Sequence, residues 1–391
     1  MPREGARMEY KWKEATLLVS LLRAALDAET PDVPEDVDWE NLCALAVLQR
    51  TESMVCAALS GVPDVPQQIM DRLNRAYKKE IAAYHVRRSE GLKILNAFEV
   101  NGVDCVPLKG WVLQDLYPNP AMRYMCDLDI LFKPEQSADV QRVLEALDYI
   151  PQELGGNPEV YFKKPIMNIE MHKAIVRDKT DYYDRIWERV VLQKPCEHTY
   201  HMTDEDFYLY MIAHFYKHFV GGGTGVRYVC DTEVFLRAHG DTLDRAYVDA
   251  QLQRSGYLDF ERQVRALCRA WFHGEPIDEA LTVFSKKMLF SGVFGTPERA
   301  IENTVRSAVE HMPGKSVQAK KLRYILSLLF PPLSVMRDVY TVLRKLPFLL
   351  PLFWIVRGIQ RLFSGRDRAR ELLQHTDSVS REISAETGRE V

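Results

Sequence analysis

Apolar residues recur every three or four positions through the first hundred residues of the chain. The pattern is clear in ATLLVSLLRAAL, in WENLCALAVLQRTESMVCAAL and in a longer run that opens after Pro66. This spacing puts apolar side chains on one face of an α-helix. Proline suits a first helical position and Gly102 suits a helix stop, so the third run is marked at both ends. We therefore predict an N-terminal helical region over residues 1–100.

Between residues 101 and 195 the period shortens, and extended segments alternate with short helices. VDCVPL is a β-branched run, YMCDLDILF alternates apolar and polar positions, and PEQSADVQRVLEALDY is an amphipathic helix pattern. EVYFKKP and IMNIEMHKAI favour two adjoining strands that form a hairpin around Pro165. This segment is predicted to be a small core with a mixed β-sheet.

Helical patterns resume at about Asp181 and continue through most of the remaining chain. Thr203 and Asp206 resemble a capping box ahead of FYLYMIAHFYKHFV, and the next three helical runs each end at glycine. Residues 196–375 are predicted to be a C-terminal helical domain, followed by a polar tail over 376–391. The predicted fold class is α+β, a small mixed β-sheet core flanked by helical regions on both sides.

Composition narrows the classes of function. The chain has 51 Lys plus Arg against 55 Asp plus Glu, and this balance argues against a general nucleic-acid binder, which would be basic overall. Its seven cysteines form no CxxC pair, so we expect reduced, mostly buried thiols. The charged N-terminus lacks the apolar run of a signal peptide, and no stretch approaches the ~20 apolar residues of a membrane span. A cytoplasmic location is expected.

Two predicted strands carry acidic residues on one face. Side chains alternate along a strand, so Asp127 and Asp129 project together, as do Asn168, Glu170 and His172. Paired carboxylates repel unless a cation or water lies between them. An Asp-x-Asp pair on a solvated edge strand usually has no catalytic meaning. If the two strands are neighbours, however, Glu170 can reach the Asp pair as a third ligand for Mg²⁺ or as a base.

The stretch VPLKGWVLQDLYPNPAMRYMCDLDILF resembles the core signature of the nucleotidyltransferase fold of DNA polymerase β-like enzymes. It is most similar to a bacterial group described as uncharacterised nucleotidyltransferases. The resemblance covers roughly residues 100–175 and continues more weakly through HFYKHFVGGGTGVRYVCDTEVFL. The matching positions are Leu108, Lys109, Gly110, Tyr117, Pro118, Pro120, Arg123, Asp127, Leu128, Asp129, Glu170 and His172.

The resemblance implies transfer of a nucleoside monophosphate from a nucleoside triphosphate to an acceptor hydroxyl, with release of pyrophosphate. Asp127, Asp129 and Glu170 are expected to be catalytic and to bind Mg²⁺ or Mn²⁺, with ATP as the default nucleotide. Lys109 and Gly110 are expected to hold the triphosphate. Since Trp111 follows Gly110 where a hydroxyl is usual in the superfamily, Lys109 is expected to neutralise phosphate charge instead.

Four further residues complete the predicted nucleotide site, each with a structural alternative. Arg123 suits bidentate phosphate contact but equally suits an ion pair. Arg227 and Asp231 lie one helical turn apart and either line the nucleotide cleft or form a salt bridge with each other. His172 accompanies Glu170 in the family pattern.

The acceptor stays open between a small molecule, a sugar, a peptide, a protein and RNA.

Other features of the sequence have competing explanations. His214 and His218 could share a metal, although buried histidines are the favoured interpretation. Gly221, Gly222 and Gly223 predict a flexible loop that closes on a ligand. Residues 344–363 suit either peripheral membrane contact or a terminal helix packed on the helical domain. In the membrane interpretation Phe348, Phe353 and Trp354 enter the interface while Arg344, Lys345, Arg357 and Arg361 face anionic lipid. Two alternative functions remain, a nucleotide-binding regulatory module without catalysis and a membrane-surface or partner-binding scaffold.

Overall fold

The computed structural model describes residues 11–176, 180–220, 224–292, 330–331, 333, 336, 340 and 342–364. The chain divides into two compact units. The first comprises residues 1–217 and 224–293, and the second comprises residues 218–223 and 294–391. The predicted sheet core lies in the first unit. The domain boundaries set out above stay predictions.

Four helices form the N-terminal part of the first unit. They are α1 (Trp12–Asp27), α2 (Trp39–Gln49), α3 (Glu52–Leu59) and α4 (Gln67–Val100). The second apolar run of the sequence gives two helices rather than one, because Arg50 adopts a left-handed conformation with φ of 53° and ends α2. The Asp38 side chain accepts a hydrogen bond from the Asn41 backbone and caps the start of α2.

A five-stranded mixed sheet follows, in the spatial order β1-β2-β5-β4-β3. Its strands are β1 (Cys105–Pro107), β2 (Leu128–Phe132), β3 (Ile150–Glu153), β4 (Glu159–Lys163) and β5 (Met167–His172). Strands β2 and β5 are parallel, and the other neighbours are antiparallel. The hairpin expected around Pro165 joins β4 to β5, whereas β3 was not predicted. The α+β class and the small mixed sheet are confirmed.

One face of this sheet is packed against helices, and the other carries the polar residues. Helix α5 (Gly110–Leu113) and two 3-10 turns join β1 to β2, and α6 (Ser137–Ala146) joins β2 to β3. The apolar side chains of β2 and β5 share one core with residues of α4 and α6. These side chains are Leu128, Ile130, Phe132, Ile169 and Met171, with Ile94, Phe98, Val140 and Val143 from the helices. The alternation read from the sequence thus sends the carboxylates to the opposite face.

The segment after β5 differs from the expectation that helices resume at Asp181. It forms a 3-10 turn (Ile186–Glu188) and a two-stranded antiparallel sheet of β6 (Val191–Leu192) and β7 (Tyr200–His201). Two-residue strands contain too few positions to show a period, so no sequence pattern predicts them. Helices then follow as predicted. They are α7 (Asp204–Val220), α8 (Val226–His239), α9 (Arg245–Ser255), α10 (Leu258–His273) and α11 (Glu279–Ser291).

The described part of the second unit ends in two helices. These are α12 (Val342–Lys345) and, after a 3-10 turn at Pro347–Leu349, α13 (Leu350–Ser364). Among the residues that the structure describes, no helix is long and apolar enough to cross a membrane. The predicted Gly221–Gly223 loop and the polar tail lie outside the described residues.

Glu90 of α4 ties this helix to the sheet. Its carboxylate accepts from Lys93 Nζ at 2.6 Å, Lys163 Nζ at 2.9 Å and Tyr149 Oη at 3.1 Å. Burial raises the pKa of Glu90, but these three hydrogen bonds outweigh burial and lower the pKa to about 2.

Replacing Glu90 by glutamine is therefore expected to reduce the free energy of unfolding at neutral pH by about 1–2 kcal/mol. Because the folded pKa is depressed, the stabilisation is complete above the ordinary value of 4.5 and is lost as pH falls toward 2. Urea unfolding at several pH values measures the difference between the variant and wild type. Glu145→Gln, at an exposed position of α6, is the control; a cost for Glu90→Gln that is constant with pH would contradict the account.

Candidate active site

The parallel pairing of β2 with β5 places Asp129 directly beside Glu170. His172 lies two residues further along β5, on the same face as Glu170. The Asp129 side chain is only 3% exposed, whereas that of Glu170 is 27% exposed. A buried carboxylate needs a charged partner or several hydrogen bonds to stay ionised. The contacts of Asp129 therefore decide what this site can do.

Asp129 is the centre of a short network. Its Oδ1 lies 2.5 Å from Lys109 Nζ and 2.8 Å from His172 Nε2. The same His172 nitrogen lies 3.5 Å from Glu170 Oε2. One imidazole thus faces two carboxylates, and a lysine occupies the remaining side of Asp129.

The donor set fits a divalent cation. Asp129, Glu170 and His172 each offer a ligand atom, and these atoms lie within 4.8 Å of one another. Among the described residues, this is the one cluster of at least three side chains that could hold a metal ion. It includes neither His214 nor His218. Carboxylates suit Mg²⁺ and Mn²⁺, and imidazole is an accepted ligand of transition metals. The geometry therefore adds His172 to the predicted ligands.

Asp127 stands one residue before β2 and outside that group of three. Burial raises the pKa of Asp127, and the negative charges of Asp129 and Glu170 raise it further against the opposing effect of Lys109. The pKa of Asp129 is affected in the opposite sense. Burial raises it, but the charge of Lys109 and the hydrogen bond from His172 outweigh burial and lower it to about 2. The two aspartates are thus unequal: Asp129 is fixed as an anion, and Asp127 is the carboxylate that a further cation would stabilise.

Lys109 is held in an uncommon backbone conformation, with φ of 42°. Positive φ is rare outside glycine. The turn is fixed because the backbone N–H of Leu108 donates to the Asp129 carbonyl at 3.0 Å, which joins the end of β1 to β2. Burial lowers the pKa of Lys109, but Tyr210 and Asp129 raise it beyond its ordinary value. Lys109 is consequently a permanent cation beside Asp129.

Gly110 follows this turn and starts α5 at a point of close approach. A Cβ atom there would lie 2.5 Å from Met125 Sδ and 2.6 Å from Arg123 Nη1. Both distances are shorter than real Cβ contacts, so a side chain would displace the turn from the loop before β2.

Gly110→Ala is therefore expected to destabilise the protein by about 1–3 kcal/mol and to weaken any ligand held at the turn. Thermal unfolding measures the first effect. Gly61→Ala is the matched control, because its added methyl meets nothing within 4 Å and only its positive φ of 88° is strained. Gly110→Ala that unfolds at the same temperature as wild type would show that the contacts of Gly110 are unimportant.

Arg123 and Asp231 are brought to each other rather than to the carboxylates of the sheet. The guanidinium forms a bidentate pair, with Nε at 2.7 Å from Oδ1 and Nη2 at 2.8 Å from Oδ2. Tyr117 Oη donates to the same carboxylate at 2.8 Å. Arg123 and Asp231 are buried, so the pair fastens the loop before β2 to α8. The partner of Asp231 is thus Arg123, and not Arg227 as the salt-bridge alternative from the sequence had it.

Arg227 of α8 contacts the same loop. Its Nη1 donates to the Tyr124 carbonyl at 3.2 Å, and its buried Nε has no hydrogen-bond partner among the described residues. Its charge also acts on the Cys126 thiol. Arg227 thus stands next to the segment that leads into Asp127.

Aromatic residues of α7 and α8 border the site, and the sequence did not identify them as such. Tyr210 is completely buried close to Lys109, Asp129 and Glu170; burial raises the pKa of its hydroxyl, and Asp129 and Glu170 raise it further against Lys109. His214 lies between Tyr210 and Tyr228, with ring centroids 5.9 Å from each. The run FYLYMIAHFYKHFV is apolar or aromatic on nearly every helical face, which signals burial but not proximity to a site.

Comparison with known proteins identifies the family to which the chain belongs. The profile of the family described as "Uncharacterised nucleotidyltransferase" matches residues 35–273, which is more than half of the chain. No curated protein matches. The solution structure of the antibiotic-resistance factor ANT(2'')-Ia aligns with 49% of this chain and 99% of its own, at 12% identity and a TM-score of 0.33. A likeness at that TM-score carries no argument about this protein.

Proposed function

Because the chain belongs to the nucleotidyltransferase family, described so far as uncharacterised, we propose that it transfers a nucleoside monophosphate from a nucleoside triphosphate to an acceptor hydroxyl. The acceptor oxygen bonds to the α-phosphorus, the bond to the bridging oxygen breaks, and pyrophosphate leaves. The observation that supports this most is the side-by-side placement of Asp129 and Glu170 on parallel strands, with His172 against both.

Asp127, Asp129 and Glu170 would hold Mg²⁺ or Mn²⁺, with His172 as a further ligand, and the ion would neutralise phosphate charge and orient the reacting groups. Glu170, the more exposed of the two strand carboxylates, either completes that set or takes the proton of the acceptor hydroxyl. His172 faces both strand carboxylates through Nε2, at 2.8 Å from Asp129 Oδ1 and 3.5 Å from Glu170 Oε2.

The triphosphate would lie against the Lys109–Gly110 turn, with Arg227, which contacts the adjoining loop at Tyr124, as a further cation. Lys109 supplies a permanent positive charge, and Gly110 allows the backbone to approach the phosphate closely. Arg227 adds a second positive charge beside this loop. Arg123 and Asp231 contribute through each other, since their buried pair holds the loop that packs on Gly110. ATP is the default nucleotide, and the acceptor is a small molecule, a sugar, a peptide, a protein or RNA.

One contact favours a second function, nucleotide binding without transfer. Lys109 Nζ already neutralises Asp129 at 2.5 Å, so a resident cation occupies a position that a metal ion would need. A regulatory module of this kind would bind nucleotide and release no pyrophosphate. The expected cytoplasmic location is part of both proposals.

The two functions are separated by supplying α-phosphate-labelled nucleoside triphosphates, Mg²⁺ and a cell lysate as the source of acceptor. Wild type is compared with Asp127→Asn/Asp129→Asn, and both the labelled product and pyrophosphate are measured. Transfer of label that disappears in the variant supports the enzyme and makes the acceptor available for identification.

Nucleotide binding is measured on the same two proteins. Binding to wild type without label transfer or pyrophosphate release would favour the regulatory module. Absence of Mg²⁺-dependent binding would contradict both functions and the assigned role of the carboxylates.

A further inference from the structure

Helix α13 in the second unit has two apolar faces. One is packed within the unit. Trp354 Nε1 donates to the Pro331 carbonyl at 2.9 Å, and its ring meets that of Phe330 with centroids 5.3 Å apart. The neighbouring Phe353 packs on Tyr340 with centroids 4.7 Å apart. This face therefore packs on Phe330, Pro331 and Tyr340.

The other face is exposed. Phe348, just before α13, is 72% exposed, Leu352 is 53% exposed and Ile355 is 61% exposed. Their spacings of four and three residues place them in one stripe along the same side of the helix. We call these three residues the apolar stripe. Soluble proteins rarely leave such a group of large apolar side chains together in water unless it meets a protein or a membrane.

The charges around the stripe favour a lipid surface over a protein. Residues 339–365 contain four cations and no Asp or Glu. The cations are Arg344 and Lys345, which precede Phe348 in the sequence, and Arg357 and Arg361, which lie within α13. A segment that combines an apolar face with cations and lacks acids is complementary to anionic phospholipid.

We propose that the apolar stripe inserts into the interface of a membrane containing anionic phospholipid, with the helix lying in the membrane plane. Helix α13 has 15 residues, fewer than the ~20 needed to span a bilayer. Residues 344–363 therefore dock the protein on a lipid surface. The face that carries Phe353 and Trp354 stays packed in the unit, so of the three aromatic residues expected from sequence only Phe348 faces the membrane.

Co-sedimentation of the full chain with vesicles tests this proposal. Two vesicle types are used, phosphatidylcholine alone and phosphatidylcholine with phosphatidylserine. Wild type is compared with Phe348→Glu/Leu352→Glu/Ile355→Glu. The control, Val100→Glu/Ile277→Glu/Val283→Glu, introduces the same charge at three other exposed apolar positions, all in the first unit.

Wild type and the control are expected to sediment with the anionic vesicles, more weakly at high salt, and the stripe variant is expected to bind at least about tenfold less. Wild type that stays in solution with both vesicle types would overturn the proposal, as would a stripe variant that sediments like the control. A wild-type dimer that the stripe variant cannot form, without vesicle binding, would also overturn it and would assign the stripe to a second copy of the chain.

Discussion

Asp129→Asn is expected to reduce the rate of nucleotidyl transfer by about 10³-fold or more. Asparagine has nearly the same shape as aspartate but cannot supply the negative charge that a cation requires. Asp129 is also the carboxylate on which Lys109 and His172 converge, so its loss removes the centre of the network. The measurement is kcat for pyrophosphate release, with the acceptor identified by label transfer.

Two further variants separate chemistry from folding. Asp129→Asn leaves Lys109 largely buried without its anionic partner, which also costs stability, so its thermal unfolding must be compared with that of wild type. Glu170→Gln affects a more exposed carboxylate and is expected to lose activity with little loss of stability. Asp139→Asn, at an exposed ion pair of α6, is the matched control. Full activity in both Asp129→Asn and Glu170→Gln would contradict the assigned site.

Asp231→Asn is expected to lower the free energy of unfolding by about 3–5 kcal/mol. The change leaves the buried Arg123 guanidinium without its counter-ion and weakens the hydrogen bond from Tyr117. An uncompensated buried charge is far more costly than the loss of an exposed ion pair. Chemical denaturation of the variant and wild type measures this difference.

A double variant at Arg123 and Asp231 tests whether the unpaired charge causes the loss of stability. Arg123→Met/Asp231→Leu removes both charges, so it is expected to be less destabilised than Asp231→Asn alone. Asp139→Asn breaks the exposed pair with Arg142 and is expected to cost less than about 1 kcal/mol. A cost for Asp231→Asn as small as that of Asp139→Asn would show that the Arg123–Asp231 pair does not fasten the loop.

The sequence predicted the sheet residues of the site well because strand alternation is a local property. Leu128 and Ile130 were assigned to the core and Asp129 to the opposite face, and the structure has them there. The neighbouring Glu170 followed from the same alternation on β5. Whether β2 and β5 are neighbours could not be predicted from their own sequences, because strand pairing depends on the whole sheet.

Side-chain partners across the fold could not be read from the sequence. Arg123 and Asp231 are 108 positions apart, whereas the sequence places Asp231 either in the nucleotide cleft or in a salt bridge with its helical neighbour Arg227. Lys109 was assigned to phosphate, and its ion pair with Asp129 depends on the turn at the end of β1. Tyr210 belongs to a helix that is apolar on nearly every face, so the periodicity does not show which face borders the site. These contacts are tertiary, and local patterns carry little information about them.

Titration with Mn²⁺, followed by electron paramagnetic resonance in the presence of a non-hydrolysable nucleoside triphosphate, tests the central claim directly. It needs no knowledge of the acceptor, and it reports on the metal site itself. Wild type and Asp139→Asn are expected to bind Mn²⁺ with nucleotide, whereas Asp129→Asn is expected to lose that binding. Wild type that binds no Mn²⁺, or Asp129→Asn that binds it as tightly as wild type, would contradict the assignment of Asp129, Glu170 and His172 as the metal and nucleotide site.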